Sequence, residues 1–163
     1  MKTLAFAAAV ASSLVYAAPK PQVQIPVDTV VWAEPFGPTG PKFSKVSGDE
    51  KKGPYSFFLK MAAGSESGWH THDCDYTAVV ISGTAHNIEQ GGEAAAKPMP
   101  PGSSWTQPAK GNHLNKCDPG ADCVVYIHQA KGFSFTPKTA DGKAVPKEAP
   151  KKEEAAAAPA VKK

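Results

Sequence analysis

The chain has 163 residues and carries 18 cationic side chains, all of them lysine, against 15 acidic ones, for a net charge of +3. That surplus sits at the ends: residues 138–163 hold seven lysines against four acids, Lys2 adds one more, and the stretch 18–137 is left at −1. A body without basic surplus, and without the arginine that most often reads guanine, excludes nucleic acid as the expected partner, while 41% hydrophobic content suits one soluble folded domain.

In chain order, residues 1–17 read as a secretory signal peptide. Lys2 supplies the positive start, Leu4–Val15 is apolar apart from Ser12 and Ser13, and Val15-Tyr16-Ala17 has the small residues of a cleavage site. An N-terminal helix docked on the body is the competing reading. The segment falls short of the ~20 apolar residues that cross a bilayer, and no other stretch approaches that length. No membrane span is therefore expected, and the mature protein is expected to be exported, either periplasmic or secreted.

Residues 18–137 are punctuated by most of the 16 prolines and 14 glycines. Between these breaks, short runs rich in β-branched and aromatic residues predict strands over Asp28–Ala33, Tyr55–Met61, Tyr76–Ser82, Ala85–Glu89, Ser104–Gln107, His113–Cys117, Cys123–His128 and Phe133–Thr136. No sustained helical period occurs. The pattern predicts an all-β domain, a sandwich or small barrel. Residues 138–163, built largely from Lys, Ala, Glu and Pro, predict a solvated, disordered tail.

The chemistry concentrates in Gly64–Gly83, which reads GSESGWHTHDCDYTAVVISG. On an extended segment, His70-x-His72 puts both imidazoles on one face, because side chains repeat every two residues. A third nitrogen ligand from another strand would complete a metal site, and His113 is the candidate. An HxH pair alone is a weak signal, so the flanking spacing matters.

Gly64, five residues, His70-Thr71-His72 and then Gly83 resemble the first motif of the cupin superfamily. Gly102, five residues, Pro108 and then His113 resemble the second, with Gly111 one place later than the family's glycine and Cys117 at its terminal Asn. The ending Gly132-Phe133-Ser134-Phe135-Thr136-Pro137 resembles that of small exported single-domain cupins of unassigned function. The resemblance implies a jelly-roll barrel (double-stranded β-helix) and one divalent transition metal (Zn, Fe, Mn, Cu or Ni) held by His70, His72 and His113. One position departs: the family's glutamate falls on Tyr76, which offers a phenol as hydrogen-bond donor, as weak phenolate ligand, or as packing. Asp73 or Asp75 reaches the ion only through a bulge, and Glu66 reads as a solvated loop residue. Trp69 and Trp105 stand beside the motifs as candidate pocket walls, with core packing the default.

His86 shares strand parity with Thr84 and Ile88 and could line the same cavity, while His128 reads as a structural histidine. Cys117 and Cys123 bracket Asp118-Pro119-Gly120-Ala121-Asp122, a turn that brings two thiols together, and an oxidising compartment favours their disulfide; Cys74–Cys117 is the competing pair. The expected function is a metal-dependent enzyme of oxygenase, isomerase or lyase type on a small molecule, with Tyr76 and His86 donating or relaying protons. A non-catalytic metal or ligand binder is the alternative. A homodimer is compatible with either.

Overall fold

Alternation along the strands decides which side chains enter the core. In Tyr55–Met61, Tyr55, Phe57 and Met61 are buried, and in Tyr76–Ser82 the buried residues are Tyr76, Ala78 and Val80. The computed structural model describes residues 21–145. It contains nine strands: β1 (Lys42–Gly48), β2 (Tyr55–Met61), β3 (His70–Thr71), β4 (Tyr76–Ser82), β5 (Ala85–Glu89), β6 (Ser104–Gln107), β7 (His113–Cys117), β8 (Cys123–Gln129) and β9 (Thr136–Pro137). The only helical pieces among the described residues are 3₁₀ turns at Val27–Thr29 and Glu93–Ala95.

The strands pair antiparallel into a five-stranded sheet, β1-β2-β8-β4-β6, and a four-stranded sheet, β5-β7-β3-β9. Both sheets contribute to one core: Phe57, Tyr76, Val80, Val125 and Ile127 from the larger, Ala85 and Cys117 from the smaller. This is a jelly-roll arrangement, all-β as the sequence predicts. Phe57, 1% exposed, anchors it, stacked on Tyr55 at 4.9 Å and meeting Phe43 and Phe133 at 5.5 and 5.7 Å. Between β4 and β5 the chain turns at Gly83 with φ +71°, where a Cβ would lie 2.8 Å from the Asp122 carbonyl oxygen. Only glycine fits a turn that is both left-handed and this close to backbone.

Cys117 and Cys123 are joined in a disulfide, so the hairpin pairing holds and Cys74 is the free, buried thiol. The bond runs from the end of β7 in one sheet to the start of β8 in the other. Loop-closure entropy for so short a loop contributes about 2 kcal/mol.

Three features differ from the sequence reading. Asp28–Ala33 is not a strand: Val27–Thr29 is a 3₁₀ turn, and Ala33 makes an isolated bridge to Phe43. β1, which the sequence reading omits, lies at a sheet edge, and its last four residues are exposed, so it lacks an apolar alternation to read. The late strand is Thr136–Pro137 rather than Phe133–Thr136, because Phe133 and Phe135 turn their rings to other work. Residues 1–17, read as a signal peptide, lie outside the described residues, as does the tail beyond 145. Before that point the chain makes a turn, closed by a Lys138–Ala144 bridge and by hydrogen bonds between Thr139 and Lys143. No described helix is long and apolar enough to cross a membrane.

Candidate metal centre

The pairing of β3 with β7 sets His70 directly opposite His113. Directly opposed residues of an antiparallel pair project to the same side, and here the two rings lie 4.2 Å apart between centroids. His72 joins them at 4.9 Å from His70 and 5.3 Å from His113. One ring nitrogen of each residue lies within 4.8 Å of the other two. All three are buried, at 2%, 9% and 0% exposure for His70, His72 and His113. Among the described residues this is the one cluster of His, Cys, Asp and Glu able to hold an ion.

Backbone carbonyls fix the tautomers. Nδ1–H of His70 donates to the Gly68 oxygen at 2.9 Å, that of His113 to the Gly111 oxygen at 3.0 Å, and that of His72 to the Ser134 oxygen. Each Nε2 is then left with its lone pair, as metal ligation requires. Burial reinforces this neutral state. It lowers His70 to about 3, helped by the neighbouring His113 and His72 and opposed by the Gly68 carbonyl; it lowers His113 to about 4; and it lowers His72 as well. Three neutral nitrogen donors, already oriented, fit a divalent transition ion and leave further coordination positions open.

Tyr76 stands where the sequence places it, inside the barrel and 4% exposed. Its hydroxyl donates to His113 Nε2 at 3.1 Å and accepts from the Trp105 indole N–H at 3.5 Å. Burial pushes the phenol up to about 12, so it is a neutral O–H group. Trp105 therefore touches the site through Tyr76, whereas Trp69 does not line the cavity.

Five residues weighed from sequence do not reach the imidazoles. His86 bonds Asp118 through Nε2 at 2.9 Å and lines a separate small cavity with Trp105 and Lys116. Its partner on β7 is Lys116, between the inward Asn115 and Cys117, so its ring lies on the face of the sheet away from the imidazoles. Asp73 is exposed and paired with Lys110, whose ammonium holds the carboxyl below its usual range. Asp75 accepts the Ala109 N–H at 2.7 Å, and Glu66 pairs with Lys116 at 3.3 Å. His128 takes the Ser56 hydroxyl at 2.8 Å on the outer face of β8.

The segment after β8 supplies what the sequence reading missed. Ser134 gives His72 its carbonyl and accepts the Asp73 N–H on its hydroxyl at 2.7 Å. Phe135 stacks on His70 at 4.5 Å and 23°, Phe133 meets the His72 ring at 6.1 Å, and β9 pairs with β3 alongside them. The GFSFTP ending was the available signal.

A second missed residue is Lys110, at the place where the family pattern has glycine. It has φ +64°, the sole positive φ among described non-glycine residues, so a left-handed turn carries a side chain that disfavours it. Glycine would relieve a left-handed penalty of about 1–2 kcal/mol but lose somewhat more chain entropy. Lys110→Gly is expected to match or exceed the wild-type stability in urea denaturation. Lys110→Val, β-branched in the same conformation, is expected to lose about 1–2 kcal/mol.

Beside the imidazoles lies a cavity of about 40 Å³, walled largely by Phe43, Phe57, Leu59, Ile127, Phe133 and Phe135, with Ser67, Tyr76, Asn115 and Gln129 as its other polar points. Sheets and site together define a cupin with three converging histidines. The chain matches, over residues 28–153, the sequence model described as "Domain of unknown function (DUF4437)", and it belongs to that family. No protein of curated function matches it. Solved structures that share the fold include KdgF from Halomonas sp., 14% identical over 68% of this chain and 94% of that one, TM-score 0.54. An RmlC-like cupin from Ralstonia eutropha JMP134 is 15% identical over 75% of each chain, TM-score 0.58. The polyketide cyclase RemF from Streptomyces resistomycificus is 13% identical over 71% of this chain and 83% of that one, TM-score 0.56.

Proposed function

We propose that this cupin is an exported protein, with residues 1–17 as its leader and 18–137 as its barrel, that holds one divalent transition metal at His70, His72 and His113. We further propose that it acts on a small organic molecule in oxygenase, isomerase or lyase-type chemistry. The observation that carries the reading is the carbonyl partner on every Nδ1, which leaves three Nε2 lone pairs converging in a buried site. A bound ion supplies Lewis-acid polarisation or activation of water or dioxygen. The chain's own residues confine and orient the molecule. Phe133 and Phe135 exclude water beside the imidazoles, and the Tyr76 O–H, once released from His113, is the proton donor that faces the cavity.

The second reading, capture or sensing without turnover, is favoured by one observation: no carboxylate lines the cavity to act as a base. Metal content separates these readings from a purely structural role for the histidines. Protein exported by its own leader and purified without a histidine tag is expected to carry near-stoichiometric metal, lost in His70→Ala. Iron or manganese would favour turnover with dioxygen, and zinc or copper leaves hydrolytic chemistry or capture. Absence of metal in the purified protein together with no uptake on titration would overturn the proposal.

A further inference from the structure

The donor set has a charge consequence. Three neutral imidazoles compensate none of the charge of a divalent ion, and Tyr76 occupies the place where the family pattern has a glutamate. No Asp, Glu or Lys lines the cavity. The acidic groups near in sequence are all committed outside it: Asp73 to Lys110, Asp75 to the Ala109 N–H, Glu66 to Lys116. Buried charge without a counter-charge is strongly disfavoured in an apolar surrounding. The missing negative charge must come from outside the chain.

The walls define what can bring it. Phe57, Leu59 and Ile127 offer only apolar surface, and apart from the imidazoles the polar contacts are the four uncharged side chains of Ser67, Tyr76, Asn115 and Gln129. Phosphate or sulfate would leave most of its oxygens against hydrocarbon. At about 10–15 Å³ per water-sized position, a 40 Å³ cavity takes only a few heavy atoms. Resting on the metal-site reading above, we propose that the cavity is a receptor for a short-chain monocarboxylate of acetate to butyrate size. Its charged end replaces the absent glutamate at the ion, and its apolar body lies against Phe57, Leu59 and Ile127. The lack of arginine in the chain is then no obstacle, because the ion takes the place of a guanidinium clamp.

The test uses full-chain protein loaded with cobalt(II), followed by visible absorption and calorimetry. Acetate, propionate and butyrate are titrated against acetamide, propionamide and inorganic phosphate at neutral pH. The carboxylates are expected to shift the cobalt spectrum saturably and to bind at least tenfold more tightly than the amides or phosphate. Tyr76→Glu, which supplies the charge from within, is expected to keep cobalt and weaken acetate at least tenfold. Amides or phosphate binding as tightly as carboxylates would overturn the inference, as would unchanged acetate binding by Tyr76→Glu. If Tyr76→Glu fails to fold, the wild-type comparison of carboxylate with amide decides alone. Cobalt uptake with no carboxylate response overturns this inference only; failure to take up cobalt overturns the metal reading along with it.

Discussion

Replacing His113 with alanine is expected to reduce metal affinity by more than about 100-fold, since loss of a partner one step removed from a metal already costs about 10–100-fold. Elemental analysis after gel filtration checks it, with His86→Ala as the contrast. His86 is bonded to Asp118 in a separate cavity, so its variant is expected to retain metal like the wild type. Alanine at 113 also leaves the buried Tyr76 O–H without its acceptor, while the Gly111 carbonyl keeps only the Gln107 amide at 3.5 Å. Unpaired buried polar groups cost about 1–3 kcal/mol each, so urea denaturation of the metal-free variant should show a loss of that order. His113→Gln, which keeps a polar end near Tyr76, separates the two effects: it is expected to recover stability while metal binding stays weak. Full metal content in His113→Ala would show that the other two imidazoles suffice and that His113 serves packing.

The second large effect is on stability against pH. In the unfolded chain each histidine titrates near 6.5, whereas the folded protein holds His70 at about 3 and His113 at about 4, with His72 also lowered. Between these values the unfolded state binds more protons, so stability rises with pH across the window. These depressed groups contribute stability that is fully present above about pH 6.5 and is lost progressively as pH falls through about 4 and then 3. For the metal-free protein the loss between pH 7 and pH 4 is on the order of 5 kcal/mol, a large share of a typical domain's stability. Urea melts at a series of pH values measure it directly. Near pH 5 the slope should correspond to two or three protons taken up on unfolding; a flat profile from pH 7 to 5 would mean that the imidazoles are not held neutral. Metal loading is expected to extend stability to lower pH, because the ion binds the folded site and not the unfolded chain.

Much of the barrel could be read from the sequence because its inner strands are bounded by glycine or proline and alternate clearly. Six candidate strands, from Tyr55 to His128, match observed strands to within a residue. The misplaced ends have separate causes. Lys42–Gly48 lies at an edge, where exposed lysine and serine are favoured and the apolar signal is correspondingly thin. The Val-rich stretch after Pro26 has strand-like composition, but Val27 and Val31 are exposed, and composition without a surface to pack on does not make a strand.

At the site, the side chains that converge were visible as spacing, whereas the groups that orient them were not. Gly68, Gly111 and Ser134 act through backbone oxygens, which every residue possesses. Lys110 was equally hidden, since a left-handed backbone under a lysine leaves no mark in the pattern beyond a glycine one place out of step. His86 is a different case: alternation groups it with Thr84 and Ile88 but does not say which group faces inward, and only its pairing with Lys116, between the inward Asn115 and Cys117, puts it on the outer face.

The contribution of Ser134 and Phe135 to the histidines has a consequence in time. A chain emerges from the ribosome with its N-terminal end first. His70 and His72 appear early, His113 some forty residues later, and the segment that holds His72 in its tautomer and covers His70 comes last. The complete coordination geometry therefore does not exist on a nascent chain; it forms only after residue 137 has arrived and β9 has paired with β3. On the proposed metal-site reading, an ion would accordingly be selected from whatever pool surrounds the finished chain, and the compartment of final folding, more than that of synthesis, would set the identity of the metal.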